Sequence, residues 1–266
     1  SNWHLDRFYN GSIRMSLRSF VVTAIAATVL STSIAALAGD SGGTVLITGA
    51  NRGIGLALAE KFEAEGYDVI GTARRPDKAA ELNALGVRVE QLDVTDPDSV
   101  AALAKRLDGK PIDFLVNNAG IKGHDAKDIA DLDVEQLSAT MDVNTWGPLR
   151  VIQALFPNVK ASEKKVFATV SSMMGSMELN TWGCCLGYRA SKSAANSTVK
   201  TLSEDYGDEG LVFVTLHPGY VQTDMNDGMG NITTAQSAEG LFRVISNLAA
   251  EDNGKYYDWK GEELPW

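Results

Sequence analysis

The chain has 266 residues and a formal net charge of −10, with 44% apolar and 22% charged side chains. That length and apolar content suffice for one well-buried α/β domain. The acidic balance argues against a nucleic-acid surface but leaves room for an anionic cofactor in a local basic pocket. Cys184 and Cys185 are adjacent, which argues against a disulfide framework, and His4, His124 and His217 lie far apart, so no metal site is expected.

Residues 1–40 stand apart from the expected domain, which runs over 41–266. Residues 1–14 precede the first methionine, Met15, and carry no functional signal. Arg14 and Arg18 then lead into an uncharged run from Phe20 to Ala38 that closes on Ala36-Leu37-Ala38, a small-x-small pattern. This is the layout of a secretory signal, with an uncleaved membrane anchor or an organelle transit peptide as alternatives. Any membrane contact is expected through residues 20–38 only.

From Thr44 the chain reads T-V-L-I-T-G-A-N-R-G-I-G, a strand running into a glycine-rich turn that opens an apolar helix through Leu56, Leu58 and Phe62. The turn residues Gly49, Asn51, Arg52, Gly53, Ile54 and Gly55 form a candidate pyrophosphate cradle. Glycines permit tight turning and close approach, and a helix N-terminus presents unpaired amides and a positive dipole end. The helix is expected to stop near Glu65, with Gly66 behind it.

A second strand, Asp68–Ala73, ends in Arg74-Arg75-Pro76. An acidic residue about 20 positions past the turn would select NAD by bonding the ribose hydroxyls. Arg74 stands there instead, and with Arg52 it suits bidentate capture of a 2′-phosphate. Arg75 reads as a solvated neighbour, and the cofactor expected is NADP(H). NADPH is regenerated in the cytosol or in organelles, so activity is expected there even though the first segment suggests export.

Strand three, Val87–Leu92, ends at Asp93-Val94, where a carboxylate could meet an adenine amino group. A helix over Ser99–Leu107 follows. Strand four, Ile112–Val116, runs into Asn117-Asn118-Ala119-Gly120, a turn placed under the cofactor at Asn118, Ala119 and Gly120.

These motifs resemble the short-chain dehydrogenase/reductase family. The T-G-A-N-R-G-I-G turn, L-D-V at 92–94 and N-N-A-G at 117–120 carry the likeness. It continues through Asn144 in D-V-N-T-W-G, Ser172 in V-S-S, Tyr188-Arg-Ala-Ser-Lys192 and Pro218-Gly219. Over residues 44 to about 225 all of them occur in the family's order. The M-G-S after the serines and the tail G-K-Y-Y-D-W-K-G-E-E-L-P-W look like the carbonyl-reductase-like branch that includes the C-factor and sniffer proteins.

The resemblance implies a Rossmann-type, doubly wound parallel sheet in a single α/β domain, with strand order 3-2-1-4-5-6-7 and the ligand at the carboxyl ends of the strands. It implies that Asn144 holds a water linking Lys192 to solvent; the residues alone suggest a cap or kink within a helical stretch from Val134 to Ala161, with Trp146-Gly147-Pro148 disturbing it. It also implies that Pro218 and Gly219 close over the nicotinamide, with Val221 meeting its carboxamide and Thr223 near the phosphates. Family members often pair through the helices near Thr145 and Tyr188, so a homodimer or homotetramer is expected.

Tyr188 and Lys192 are four residues apart on a helix from Gly187 to Tyr206 and share one face. An ammonium one turn away would favour the phenolate of a tyrosine that is otherwise a poor base at neutral pH. Ser172, at the end of strand five (Val166–Val170), would hold the substrate oxygen, and Lys192 would also bind the nicotinamide ribose. The loop between Ser172 and Tyr188 contains Met173, Met174, Met177, Trp182, Cys184 and Cys185, which suits a hydrophobic carbonyl substrate or simply packs the loop down. No histidine neighbours the cysteines, so neither is expected to be a nucleophile. Strand six is expected over Leu211–Leu216, a lid over Asp224–Thr234, a helix over Thr234–Ala250 and a last strand over Lys255–Trp259. The expected activity is reduction of a small-molecule aldehyde or ketone, or the reverse alcohol oxidation, through Asn144, Ser172, Tyr188 and Lys192. The rival reading is an NADP(H)-binding sensor without turnover.

Overall fold

The computed structural model describes residues 42–266, apart from Asp125 and Lys127. The signal-like segment therefore lies outside the described residues. Strands and helices alternate: β1 (Thr44–Ile47), α1 (Gly53–Ala64), β2 (Asp68–Ala73), α2 (Ala80–Ala84), β3 (Arg88–Gln91), α3 (Pro97–Arg106) and β4 (Phe114–Asn117). Then come α4 (Val134–Met141), α5 (Gly147–Lys160), β5 (Val166–Val170), α6 (Leu186–Tyr206), β6 (Val212–His217), α7 (Thr234–Ser246) and β7 (Tyr256–Asp258). The strands form one sheet in the order β3-β2-β1-β4-β5-β6-β7, every neighbouring pair parallel, as the sequence motifs imply.

A parallel sheet is covered on both faces, so its central strands are apolar throughout rather than alternating. F-L-V-N in β4 and V-F-A-T-V in β5 are buried at every position. One face packs against α1 and α7, where the Phe62 ring meets Tyr67 edge-on at 5.0 Å and Phe242 at 4.9 Å. The other face packs against α3, α5 and α6, with Phe167 stacked on Phe213 at 4.6 Å. Burying each such ring stabilises the fold by about 2–3 kcal/mol. Two well-packed layers thus hold the strand ends, and with them the loops, in fixed positions.

The departures from the expected elements have local causes. The stretch from Val134 onward is helical through Lys160 but contains a π-helical turn at Asp142–Trp146. Pro148 brings no N–H to the ladder there, and Gly147 bonds back to the Asp142 carbonyl instead. α7 stops at Ser246 rather than Ala250, where the Asn247 side chain takes the Arg243 carbonyl at 2.7 Å and competes with the backbone ladder. α2 is too short to leave a period in the sequence. The segment expected as a lid holds only a short turn at Asp224–Asn226, and Val221 bridges Ile232 to close its base.

Candidate active site

The glycine turn is organised by Thr48, the residue just after β1. Its hydroxyl accepts the amides of Asn118 and Ala119, both at 3.0 Å. The Asn118 side chain returns two bonds, to the carbonyls of Thr48 at 3.0 Å and Gly49 at 3.2 Å. The turns after β1 and β4 are thereby stitched into one unit. The three glycines divide the work differently from a shared pyrophosphate role. Gly49 and Gly53 are left-handed, at φ +65° and +58°. Gly55 is not; a Cβ there would stand 2.4 Å from both the Gly49 carbonyl oxygen and Asn118 Nδ2, so Gly55 is dictated by packing inside the turn. α1 begins without a side-chain cap and without an acidic residue in its first turn, which leaves its amides and dipole end facing the cleft.

That cleft, of about 800 Å³, runs along the carboxyl ends of the strands. Gly49, Asn51, Arg52, Gly53, Ile54, Gly55, Arg74, Asp93, Val94, Asn118, Ala119, Gly120, Tyr188, Lys192, Pro218 and Thr223 all line it. Arg75 and Lys78 line it as well; both are exposed, and they extend the basic wall begun by Arg74. Among the described residues Arg52 pairs with Asp224 alone, at 3.5 Å and largely in solvent, a contact too weak to compete with a phosphate. Asp93 is held in place by the Thr95 amide at 3.0 Å and hydroxyl at 2.7 Å. Uncapped helix amides, left-handed glycines and a basic wall beyond them together fit a phosphorylated dinucleotide.

Four expected site residues stand behind the lining. Gly219 is left-handed at φ +90°, and a Cβ would strike Ile232 at 2.5 Å and the Trp259 ring at 3.0 Å, so tight packing accounts for it. Val221 is buried, and its carbonyl accepts the Asn226 side chain at 2.9 Å. Asn144 sits in the π-helical turn, with Nδ2 donating to the Ile121 carbonyl at 2.8 Å and Ser191 Oγ at 3.0 Å, and Oδ1 accepting the Ile121 amide at 2.9 Å. It ties the loop after β4 to the residue preceding Lys192. Ser172 caps a short turn by accepting the Met174 amide at 3.2 Å, and it lies close enough to Tyr188 to lower the phenol's pKa.

Tyr188 and Lys192 lie together on α6, with Lys192 Nζ 5.8 Å from the Tyr188 ring centre and donating to the Val170 carbonyl at 2.9 Å. A Cβ at Gly120 would press on Asn144 Oδ1 at 3.2 Å and touch Lys192 Nζ at 3.6 Å. Burial raises the Tyr188 phenol above the ordinary tyrosine range, and the Ser172 side chain opposes this in part. Burial also lowers Lys192, to about 8. Without the dinucleotide, burial outweighs the Ser172 contribution at Tyr188; the lowering expected from Lys192 together with an oxidised nicotinamide concerns the cofactor-bound state.

Several supporting residues carry no clear signal in the sequence. Tyr256 of β7 donates to the Ser172 carbonyl at 2.6 Å across 84 positions of chain, and Ser171 Oγ donates to Asn196 Oδ1 at 2.6 Å. Lys78 follows the Arg-Arg-Pro run closely enough that counting cations past β2 would have found it. Among the described residues there is no cluster of side chains able to hold a metal ion, and no helix long and apolar enough to cross a membrane.

A parallel sheet in this order, with a glycine cradle and a Tyr-x-x-x-Lys pair at its carboxyl edge, defines a dinucleotide-dependent oxidoreductase architecture. The family model for short chain dehydrogenases matches residues 43–232, and the chain belongs to that family. It is similar to the C-signal of Myxococcus xanthus, at 40% identity over 59% of this chain and 93% of the relative. Among solved structures it is similar to the carbonyl reductase Sniffer of D. melanogaster, with a TM-score of 0.80 and 30% identity over 84% of this chain and 99% of that one. It is also similar to the NADPH-bound carbonyl reductase from chicken fatty liver, with a TM-score of 0.76 and 33% identity over 84% and 98%. These relatives place the chain in the carbonyl-reductase-like branch.

Proposed function

We propose that the protein is an NADP(H)-dependent oxidoreductase that interconverts an aldehyde or ketone and its alcohol, with Ser172, Tyr188 and Lys192 as its reacting groups. The observation that carries this is the convergence of Ser172 and Lys192 on the Tyr188 side chain beside a basic, glycine-lined cleft. Arg52 and Arg74, joined by Arg75 and Lys78, would hold the 2′-phosphate. The amides of the Gly49–Gly55 turn would hold the pyrophosphate, Asp93 the adenine and Lys192 the nicotinamide ribose. When bound, the reduced nicotinamide supplies a hydride to the carbonyl carbon.

The side chains provide the rest. Ser172 donates a hydrogen bond to the substrate oxygen and fixes it against Tyr188. The phenol gives its proton from Oη to that oxygen as negative charge develops on it. Lys192, with its pKa near 8, is charged at neutral pH and stabilises the phenolate left behind. Reduction uses the neutral phenol as donor, and the reverse alcohol oxidation would use the phenolate as acceptor. Asn144 keeps Lys192 in register through Ser191.

The test is a panel of aldehydes, ketones and quinones, followed by loss of NADPH absorbance. Turnover of at least one class with NADPH preferred over NADH supports the reading. Likeness to the C-signal favours a second reading, a signalling protein that binds the dinucleotide without turnover. Tight NADPH binding with no reduction anywhere on the panel would select it.

A further inference from the structure

Arg189 follows the proposed proton donor and is almost fully buried, at 6% exposure. Among the described residues no carboxylate pairs with it, and its Nη2 is buried with no partner. Its other nitrogens serve backbone carbonyls. Nε donates to Gly183 at 3.0 Å and Cys184 at 3.1 Å, and Nη1 approaches Met174 at 3.4 Å. The guanidinium lies over the Trp182 ring at 4.7 Å. One cation thus grips both ends of the loop between Ser172 and Tyr188.

What it grips is strained. Gly183, Cys184 and Cys185 are consecutively left-handed, at φ +69°, +65° and +58°. Side chains other than glycine rarely adopt this region, and such a run persists only where its surroundings over-determine it. Cys185 is the residue from which α6 starts, and its carbonyl accepts the Arg189 amide at 2.9 Å. The left-handed run therefore sets where the first turn of α6, and Tyr188 with it, meets the loop.

We propose that Arg189 is a positioning residue. Its buried guanidinium clamps the Met174 and Gly183–Cys184 carbonyls, fixing the loop that joins Ser172 to Tyr188. It acts on the carbonyl substrate and not on the dinucleotide, whose cradle lies on the other strand ends. The clamp needs a planar fork that stacks on Trp182 while reaching carbonyls on two segments, and a lysine ammonium cannot reproduce that geometry.

This rests on the carbonyl-reductase reading above, and the test separates the two. Arg189→Met keeps the apolar stem and removes every donor; Arg189→Lys keeps the charge and removes the fork. Both variants are expected to lose about 10- to 100-fold in kcat/KM for the best carbonyl substrate, mainly through KM. NADPH affinity should stay within about threefold. Hydrogen exchange in peptides spanning 174–187 should quicken in both, while peptides from β1 and α1 keep wild-type rates. Full rescue by lysine would show that charge alone matters and overturn the clamp. Kinetics within threefold of wild type, or an equal loss of NADPH affinity, would also overturn it. A variant too unstable to assay leaves the exchange comparison for the surviving one, and unchanged exchange at 174–187 would refute the proposal. Wild-type protein that reduces nothing would sink the functional reading alone, because loop exchange still reports on the clamp.

Discussion

Tyr188 and Lys192 share one face of α6, and the same desolvation pushes the phenol up and the ammonium down. Tyr188→Phe removes only a hydroxyl, so NADPH affinity is expected to change by less than about tenfold, or 1.4 kcal/mol. Turnover should fall by roughly 10²–10⁴-fold if that hydroxyl is the proton donor. Isothermal titration and single-turnover kinetics on the same preparation separate the two, and near-normal reduction by the variant would defeat the mechanism. Arg74 poses the cofactor question. It is exposed and lines the cleft beside Arg75 and Lys78. Losing a charged hydrogen-bond partner costs about 1.5–3 kcal/mol, so Arg74→Asp should weaken NADPH by at least one decade while NADH holds or improves. The neighbouring cations soften the loss but do not reverse its sign. Equal affinities of wild type and variant for NADPH would place the phosphate elsewhere.

The turn after β1 shows how element and site depend on each other. Gly53 is left-handed, but a Cβ there meets nothing closer than Thr223 at 3.7 Å, whereas a Cβ at Gly55 meets backbone at 2.4 Å. Gly53→Ala therefore carries only the conformational cost of a left-handed residue, about 1 kcal/mol. Gly55→Ala must push the Gly49 carbonyl and Asn118 apart and unpick the stitching between the turns after β1 and β4. Its melting temperature and NADPH affinity should fall well below those of Gly53→Ala, and the reverse order in a thermal-shift series would contradict this account. The sequence disclosed where the turn lies because glycines after an apolar strand punctuate the chain. It did not disclose which glycine serves which purpose, since that depends on Asn118, far away along the chain. Strands β2 and β5 are legible to the residue because runs rich in strand-forming residues stop at Arg74 and Ser171. The π-helical turn at Asn144 was visible only as a disturbance around Pro148, and the Tyr256 bond to Ser172 left no local trace.

At the scale of the whole molecule, the sheet edge that builds the site also carries a liability toward acid. His217 ends β6 just before the Pro218–Thr223 segment, and that segment is anchored to α7 by Ser237 Oγ on the Pro218 carbonyl at 2.6 Å. Burial lowers His217 to about 4, and Asp258 opposes this only weakly. Asp258 stands opposite His217 in the β6–β7 register, but its Oδ1 is already taken by the amides of Lys260 at 2.8 Å and Glu262 at 2.9 Å. A folded-state value below the unfolded value means that the unfolded chain binds more protons between about pH 4 and 6.5. Stability therefore rises with pH across that window and is lost on acidification. Between pH 7 and pH 5 the histidine alone should remove about 2 kcal/mol, a melting shift on the order of 5 °C for a domain of this size. Lys192 is also lowered, but below pH 7 it is protonated in both states and adds no slope. Glu90, held down by Arg106 and Arg88 against its own burial, loses stability only lower, through the carboxylate range. Comparing wild type with His217→Gln at each pH cancels the remaining groups. The gap between the two melting curves should close, or reverse in favour of the variant, as the pH falls from 7 to 5. Parallel curves would mean that His217 is not held neutral, and that the strand end beneath the site tolerates the charge.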